Sequence, residues 1–230
     1  MEQRRSIAIL LMGGMGTRMG DFCRDKTLVL VAGKPLFLYS LTEIERSKIF
    51  FEIVIVVRDS AQQKKIECHL CALSVHASVS YVRGGNSRQK SVLNALLHVQ
   101  QKHPHFVLIH DAVRPFVTQN NLHQLLSALE DHSGAILAHR ATDTLVDVSN
   151  GERQYLQRDT VWHVETPQMF NYEIILDACL RVKEPLTDDS SMLQRDAKIK
   201  IIENFHLNIK VTYPRDLALV EALLAKESER

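Results

Sequence analysis

The chain has 230 residues, of which 45% are hydrophobic and 24% charged, and 28 Lys and Arg balance 27 Asp and Glu to leave a net charge of +1. This composition is typical of a globular protein with one large domain, and the near-zero charge excludes a bulk basic field that would attract nucleic acid or an acidic membrane. No apolar stretch approaches the roughly 18 residues that cross a bilayer, and the first apolar run is too short for a secretory signal, so we expect a cytoplasmic protein with no membrane or nucleic-acid partner.

Short apolar runs alternate with segments of helical spacing over the first 139 residues. The runs predict strands at residues 7–12, 52–57, 79–82, 106–110 and 134–139. The helical spacing predicts helices at residues 36–48, 61–73, 87–101 and 120–131. Unbroken apolar strands are buried on both faces, and their alternation with helices indicates βαβ units. We therefore predict an α/β, Rossmann-like fold of three αβα layers with a mostly parallel central sheet.

The pattern changes after residue 141. Residues 142–162 alternate Thr, Val and Tyr with charged residues, and Ser149-Asn150-Gly151 is a strong hairpin-turn signal. We predict an extended β-arm at about 141–162, protruding from a single domain that spans residues 1–230. Helices at 172–182, 190–195 and 214–226 and a strand at 198–203 are expected to follow the arm.

Two residues near the end of the chain and one in the arm carry local predictions. Thr212 is expected to cap the last helix, with Pro214 in its first turn. Trp162, the single tryptophan, is expected to pack in the core.

Neither the cysteines nor a histidine pair predicts a metal site. Cys68 and Cys71 have C-x-x-C spacing, but a structural zinc site would need a second ligand pair, so we interpret them as two thiols one turn apart on a helix. His103 and His105 flank a proline before a strand and are interpreted as part of a solvated loop.

A glycine-rich stretch, GGMGTRMG at residues 13–20, follows the first predicted strand. Ligands of open parallel sheets bind beyond the carboxyl ends of the strands, and glycine lets backbone N–H groups approach an anion closely. The stretch lacks the Gly-Lys-Ser/Thr of a P-loop, and Met19 stands where a dinucleotide fingerprint has its third glycine. Arg18 and the nearby Lys26 are the fixed cations that a triphosphate would require.

Further motifs follow in a fixed order. They are LLMGGMGTRM at 10–19 with Lys26 and GKPL at 33–36, GGNSR at 84–88 with Ser91, HDAVRP at 110–115, WHVETPQMF at 162–170, TDDS at 187–190 and NIKVT at 208–212. Together they resemble the sugar-phosphate nucleotidyltransferases and, within them, the 2-C-methyl-D-erythritol 4-phosphate cytidylyltransferase family. The resemblance covers residues 7–224, and its motifs are specific because they occur in register.

The resemblance implies transfer of CMP from CTP to a phosphate monoester, with release of pyrophosphate. The second pKa of such a monoester is about 6, so the nucleophile is largely dianionic at neutral pH and needs no general base. Catalysis would then depend on positioning and on cations, with Mg²⁺ as cofactor. CTP and a polyol phosphate are the implied small-molecule partners, and a homodimer through the arm is the implied assembly.

The resemblance also implies roles for individual residues. The catalytic residues would be Arg18, Lys26 and Lys210. CTP would be bound by Met12, Gly13, Gly14, Met15, Gly16, Thr17, Gly84, Gly85, Arg88, Ser91 and Asp111, with Gly84, Gly85 and Ser91 meeting the cytosine. The acceptor would be bound by Asp111, Arg114, Thr144, Arg158, Thr166, Thr187 and Lys210. Asp111 would hold Mg²⁺ or the ribose, and Arg158 is a candidate to serve the site of the neighbouring chain.

The chain departs from the family pattern at several positions. Met12 is larger than the usual alanine and is expected to point into the core. Asp25 adds a negative charge beside Lys26, which would either weaken triphosphate binding or orient the lysine. Asn204 and His206 occupy the region where the family has a glycine.

Three alternatives bear on the function. The acceptor could be another polyol phosphate, such as ribitol 5-phosphate. The chain could be a non-catalytic nucleotide-binding protein whose site Asp25 has disabled, although retention of Arg18, Lys26, Asp111 and Lys210 argues for an enzyme. A nicotinamide-dependent oxidoreductase is excluded by Met19 and by the missing acidic residue after the second strand.

Overall fold

A computed structural model describes residues 5–14, 16–23, 25–182, 186 and 188–228. The described strands are β1 Ser6–Leu11, β2 Leu30–Val31, β3 Lys34–Pro35, β4 Phe50–Val57, β5 Ser78–Arg83, β6 Phe106–Asp111, β7 Gly134–Arg140, β8 Val146–Asp147, β9 Gln154–Tyr155, β10 Trp162–Asn171 and β11 Ile199–Glu203. The described α-helices are α1 Leu36–Arg46, α2 Ser60–Leu70, α3 Arg88–Val99, α4 Gln119–Ala128, α5 Tyr172–Arg181 and α6 Pro214–Ser228.

Seven of the described strands form one sheet in the order β11-β7-β10-β6-β1-β4-β5, and β2-β3 and β8-β9 form two small sheets of their own. β1 pairs in parallel with β4 on one side and β6 on the other, so Leu11 lies opposite both Val56 and Asp111. The carboxyl ends of these three strands therefore meet at one edge of the sheet. The α/β prediction is confirmed.

Side chains of the central strands alternate between two apolar layers, as strand geometry requires. Ala8 and Leu10 pack with α1, α2 and α4, whereas Ile7 and Ile9 pack with α3 and α5 on the other face. Because both faces are covered, the strands consist of unbroken apolar residues. The three αβα layers expected from the sequence are present.

A third apolar cluster anchors the glycine-rich stretch to the C-terminal helix. Met19 is 2% exposed and belongs to one cluster with Val211 and with Val220 of α6. The position where a dinucleotide-binding loop would have glycine is thus a core position in this protein.

β10 was missed by the sequence analysis. It pairs antiparallel with both β6 and β7, whereas all other neighbouring strands of the seven-stranded sheet pair in parallel. Its ladder with β7 shifts register between Val164 and Gln168, so residues 165–167 form a bulge. The sequence did not predict this strand because Glu165, Thr166, Pro167 and Gln168 interrupt its apolar residues. A bulge of this kind re-aims side chains at a sheet edge.

Two smaller predictions were wrong. Trp162 is half-buried rather than in the core, and the Arg140 guanidinium lies 4.4 Å from the centroid of its ring. Thr212 does not cap α6, because its hydroxyl donates to the Lys210 carbonyl at 3.1 Å. The Asp216 carboxylate caps the helix instead and accepts hydrogen bonds from the Thr212 and Tyr213 N–H groups at 2.7 and 2.8 Å.

The predicted hairpin and the interpretation of the thiols are confirmed. β8 and β9 pair antiparallel, with Val146 opposite Tyr155, and Gly151 adopts a φ of 78° in the turn between them. Cys68 and Cys71 lie exposed at the end of α2. Among the described helices, none has the length and apolar character that a bilayer crossing would need.

Candidate active site

The glycine loop leaves β1 at the carboxyl edge of the sheet. The Met12 side chain points into the core as expected, and its N–H donates to the Val56 carbonyl at 3.0 Å. A Cβ on Gly13 would lie 3.6 Å from the Val57 carbonyl, whereas one on Gly14 would meet nothing within 4 Å. The loop therefore packs its first glycine against β4 and leaves the second open to a ligand.

The loop ends in a left-handed turn. Gly16 has a φ of +63° and precedes a short 3₁₀ helix over Thr17–Phe22. That backbone region favours glycine, which explains the residue choice. Met15 lies outside the described residues, so its predicted contact with CTP stays a prediction.

Three cations surround this loop. The Lys26 ammonium donates to the Val211 carbonyl at 2.9 Å, and burial, together with the nearby charges of Lys210 and Arg18, lowers the pKa of Lys26. Arg18 itself is exposed, with its guanidinium 5.9 Å from the centroid of the Tyr213 ring. Mutual repulsion among fixed cations is relieved by a bound polyanion, so the cluster is suited to a triphosphate.

The Asp25 carboxylate is paired with residues outside the glycine loop. Its carboxylate accepts from the Gln62 amide at 2.7 Å and pairs with the Arg58 guanidinium at 3.3 Å. It also accepts from the Thr27 N–H at 3.1 Å and so caps the 3₁₀ helix that carries Lys26. Of the two effects weighed from the sequence, the contacts favour orientation of Lys26 over weakening of the site.

Asp111 ends β6 beside the glycine loop and is paired on both oxygens. Its Oδ2 lies 2.6 Å from the Lys210 ammonium, and its Oδ1 lies 3.5 Å from Nε of Arg88. Burial alone would raise the pKa of Asp111, but the charges of Arg88 and Lys210 outweigh it and hold the pKa well below its usual range. Asp111 is therefore ionised throughout the physiological range.

Arg88 links Asp111 to a second buried carboxylate. Its Nη1 bonds Oδ1 of Asp189 at 2.6 Å, and burial raises the pKa of Asp189 although Arg88 acts to lower it. The sequence motifs imply a CTP contact for Arg88 and no role for Asp189. Thr187, two residues before Asp189, lies outside the described residues.

The predicted base loop follows β5. The Ser91 hydroxyl accepts from the Gly85 N–H at 3.0 Å and donates to the Ser87 carbonyl at 2.9 Å. A Cβ on Gly84 would lie 3.0 Å from Ser91 Oγ, and one on Gly85 would lie 2.3 Å from Cγ of Lys90. The two glycines are thus required by the packing of the loop itself, and Ser91 fixes that loop.

A cavity of about 500 Å³ lies beside Lys210, the ion-pair partner of Asp111. Arg114, Lys210, Glu165, His139, His163 and residues 204–209 line it. Nη1 of Arg114 donates to the Asn208 carbonyl at 2.6 Å, while its Nε has no partner among the described residues. The Thr166 hydroxyl accepts from the Asp111 N–H at 3.1 Å and so fixes the end of β6.

The two arm residues assigned to the acceptor are not part of this cluster. Thr144 and Arg158 are exposed, and Nη1 of Arg158 donates to the Thr142 carbonyl at 3.2 Å. A further cavity of about 460 Å³, lined by His103 and Phe106, lies at the amino end of β6 and so at the opposite edge of the sheet.

His110 supports the turn after β6. It is fully buried, and its Nε2 lies 3.2 Å from the Arg114 carbonyl. Burial lowers the pKa of His110 to about 4. The imidazole is therefore neutral at physiological pH, with the proton on Nε2 to donate to that carbonyl.

A mostly parallel sheet that ends in a glycine loop beside several cations is typical of α/β proteins that bind a polyphosphate at the carboxyl ends of their strands. The family model of 2-C-methyl-D-erythritol 4-phosphate cytidylyltransferase (IspD) matches residues 6–226. The chain belongs to this family.

Relatives and solved structures agree with the match. The 2-C-methyl-D-erythritol 4-phosphate cytidylyltransferases of Aquifex aeolicus and Geobacillus kaustophilus are 35% and 37% identical; the alignments cover 96% and 95% of this chain and 99% and 96% of theirs. The 4-diphosphocytidyl-2C-methyl-D-erythritol synthase of Anaerococcus prevotii superposes with a TM-score of 0.85 at 25% identity, over 97% of this chain and 100% of that one. The Thermus thermophilus cytidylyltransferase, at 24% identity and a TM-score of 0.74 over 94% and 98% of the two chains, shares the fold.

The lowered pKa of His110 predicts an acid-sensitive term in stability. Below about pH 6.5 the unfolded chain binds a proton at His110, whereas the native imidazole stays neutral until about pH 4. The free energy of unfolding should therefore fall by about 3 kcal/mol as the pH falls across this window. His110→Gln, which keeps a donor for the Arg114 carbonyl, should lose less stability than the unsubstituted protein between pH 7 and pH 4.5. Urea unfolding at the two pH values measures the difference.

The matched control is His123→Gln, on the exposed face of α4, which should show the same pH dependence as the unsubstituted protein. Equal pH dependence in His110→Gln and His123→Gln would contradict the assignment to His110.

Proposed function

We propose that the protein transfers CMP from CTP to 2-C-methyl-D-erythritol 4-phosphate and releases pyrophosphate. Family membership supports the reaction. In this chain the reaction is supported most directly by the Asp111–Lys210 ion pair at 2.6 Å. The pair lies beside a glycine loop where the positive charges of Lys26, Lys210 and Arg18 are close enough to repel one another.

The reaction needs little covalent help from the protein. An oxygen of the acceptor phosphate forms a bond to the α-phosphorus while the bond from that phosphorus to the bridging oxygen breaks, and pyrophosphate leaves with the electron pair. The acceptor phosphate is largely dianionic at neutral pH, so no side chain has to remove a proton. The protein's work is to bring two polyanions together and to stabilise the charge that develops on the transferred group.

In this proposal, Asp111 lies between the CTP site and the acceptor site. On one side, the amides of residues 13–16 hold the triphosphate, and Arg18 and Lys26 neutralise it, with the base resting on Gly84, Gly85 and the loop that Ser91 fixes. On the other side, Arg114 and Lys210 face the cavity that receives the acceptor phosphate. Asp111 keeps the Lys210 ammonium between the two halves.

Asp111 is the residue that would bind Mg²⁺. Within the described ranges there is no group of three or more His, Cys, Asp or Glu that could hold a metal. Mg²⁺ is commonly held by one or two carboxylates together with substrate phosphates, and Asp111 is a permanently ionised carboxylate beside the phosphate loop. When bound there with CTP, the ion supplies neutralising charge to the phosphates.

The direct test is a pyrophosphate-release assay with Mg²⁺. CTP, UTP, ATP and GTP are each paired with 2-C-methyl-D-erythritol 4-phosphate and with ribitol 5-phosphate. Release is expected with CTP and the methylerythritol phosphate. Release with ribitol 5-phosphate alone would reassign the acceptor, and no release with any pair would favour the non-catalytic alternative.

Lys26→Ala tests the cation assignment. Loss of one preorganised charge contact should lower kcat by roughly 100-fold. Lys64→Ala, which removes an exposed lysine from α2, is the matched control and should keep full activity. A near-normal kcat for Lys26→Ala would show that another cation stabilises the transferred group.

We also propose that the chain is one catalytic domain, residues 1–230, whose arm at 141–162 forms a homodimer in the cytoplasm. Four apolar side chains of the arm support this assembly because they are exposed in the single chain: Val146, Val148, Tyr155 and Leu156. Thr144 and Arg158 would then reach the site of the neighbouring chain, since their contacts do not bring them to their own.

Charge placed on the arm should break the dimer. We expect Val148→Asp to sediment as a monomer, whereas Leu73→Asp, a similarly exposed apolar position outside the arm, should not change the mass. Analytical ultracentrifugation provides the measurement.

Mixing two inactive variants tests whether Arg158 acts across the interface. A randomised mixture of Lys26→Ala and Arg158→Ala chains should regain about a quarter of full activity, because half of the dimers then contain one intact site. No recovery after mixing would place Arg158 in the site of its own chain, and full activity of Arg158→Ala alone would place it outside both sites.

A further inference from the structure

Glu165 is a buried carboxylate in the wall of the acceptor cavity. It lies in the β10 bulge and is 5% exposed. Its Oε2 accepts from the side-chain amides of Asn204 and Asn208 at 2.9 and 2.8 Å, and its Oε1 lies 2.7 Å from Nδ1 of His139. One side chain thus ties a bulge in the sheet to two points of the loop after β11.

That loop has little apolar packing to hold it in place. Phe205 is 84% exposed and Leu207 is 61% exposed, so the loop buries few of its own hydrophobic groups. Its order depends on polar contacts, and Asn208 makes two more of these: its amide donates to the Thr166 carbonyl at 2.8 Å, and its carbonyl accepts from Arg114. A loop held in this way loosens when a shared acceptor is removed.

The loop leads directly to Lys210. Lys210, whose ammonium pairs with Asp111 at 2.6 Å, is two positions after Asn208, and the Asn208 carbonyl holds the Arg114 guanidinium at 2.6 Å. Displacement of Asn208 would therefore move both cations that face the cavity. Among the described residues, the glycine loop and Lys26 make no hydrogen bond or ion pair with Glu165.

We infer that Glu165 is a positioning residue for the acceptor: it fixes residues 204–210 so that Lys210 and Arg114 face the acceptor phosphate. This inference rests on the proposed function. It assigns Glu165 to one substrate, and it makes acceptor affinity separable from CTP affinity.

Two substitutions distinguish the hydrogen bonds from the charge. In Glu165→Gln, the amide oxygen still accepts from Asn204 and Asn208, and the amide nitrogen donates to Nδ1 of His139 in its other neutral tautomer. In Glu165→Ala, both asparagine amides lose a buried acceptor. Glu203→Ala is the matched control, because Glu203 is a carboxylate at the end of β11 that pairs with Arg140 instead.

Steady-state kinetics with each substrate varied give the first readout. Glu165→Ala should raise the KM for the acceptor by about tenfold or more, which corresponds to loss of at least one buried hydrogen bond. It should raise the KM for CTP by a smaller factor, because Lys210 also lies near Lys26, which is held by the Val211 carbonyl. Glu165→Gln and Glu203→Ala should stay within about threefold of the unsubstituted protein in both. An unchanged acceptor KM in Glu165→Ala, or equal rises in both KM values, overturns the inference.

Amide hydrogen exchange gives a second readout that needs no substrate. Exchange in residues 204–210 should accelerate in Glu165→Ala and not in Glu165→Gln, and Asn204→Ala should add less when combined with Glu165→Ala than alone. Unchanged exchange in Glu165→Ala overturns the positioning role whether or not the protein is a transferase. Absence of pyrophosphate release by the unsubstituted protein contradicts the proposed function and leaves the exchange result to be judged independently.

Discussion

The ion pair between Asp111 and Lys210 joins parts of the chain that are about a hundred residues apart. Asp111 ends a central parallel strand, and Lys210 lies in the segment that leads into α6. Arg88 approaches the same carboxylate from α3, and Thr166 of β10 holds its backbone N–H. The sheet edge, the base loop, the bulge and the C-terminal segment therefore share one buried negative charge, and their relative positions depend on it.

The electrostatic design of this edge has two parts. Around Asp111, carboxylates and cations are matched, since Arg88 is shared with the buried Asp189. Around the glycine loop, positive charge is in excess, because Asp25 is directed to Arg58 and neither Lys26 nor Arg18 has an ion pair among the described side chains. The matched part fixes the geometry of the edge although burial opposes ionisation of Asp189, and the unmatched part is available to a polyanion.

The parallel core and the glycine loop were predictable from the sequence because each has a local cause. Ile7 and Ile9 lie in an unbroken apolar run because both faces of β1 are covered, and Gly16 is a glycine because its φ is positive. β10 was not predictable, because its polar residues satisfy long-range contacts that no local pattern records. Glu165 meets Asn204 and Asn208, about forty residues away, and only the folded sheet brings them together.

The direction of β10 has a consequence for how such a protein changes over evolutionary time. β7 ends at the carboxyl edge of the parallel strands and β10 begins there, with Arg140 paired to Trp162 and the Ala141 N–H bonded to the Val161 carbonyl at 3.0 Å. The arm between them is therefore a loop whose two ends are held together by the sheet. The entropy cost of lengthening such a loop rises only slowly with the number of residues. Insertions and sequence drift at its tip can accumulate without disturbing the sheet edge at its base, so the tip is free to diversify faster than the positions near its two ends, which include Thr144 and Arg158.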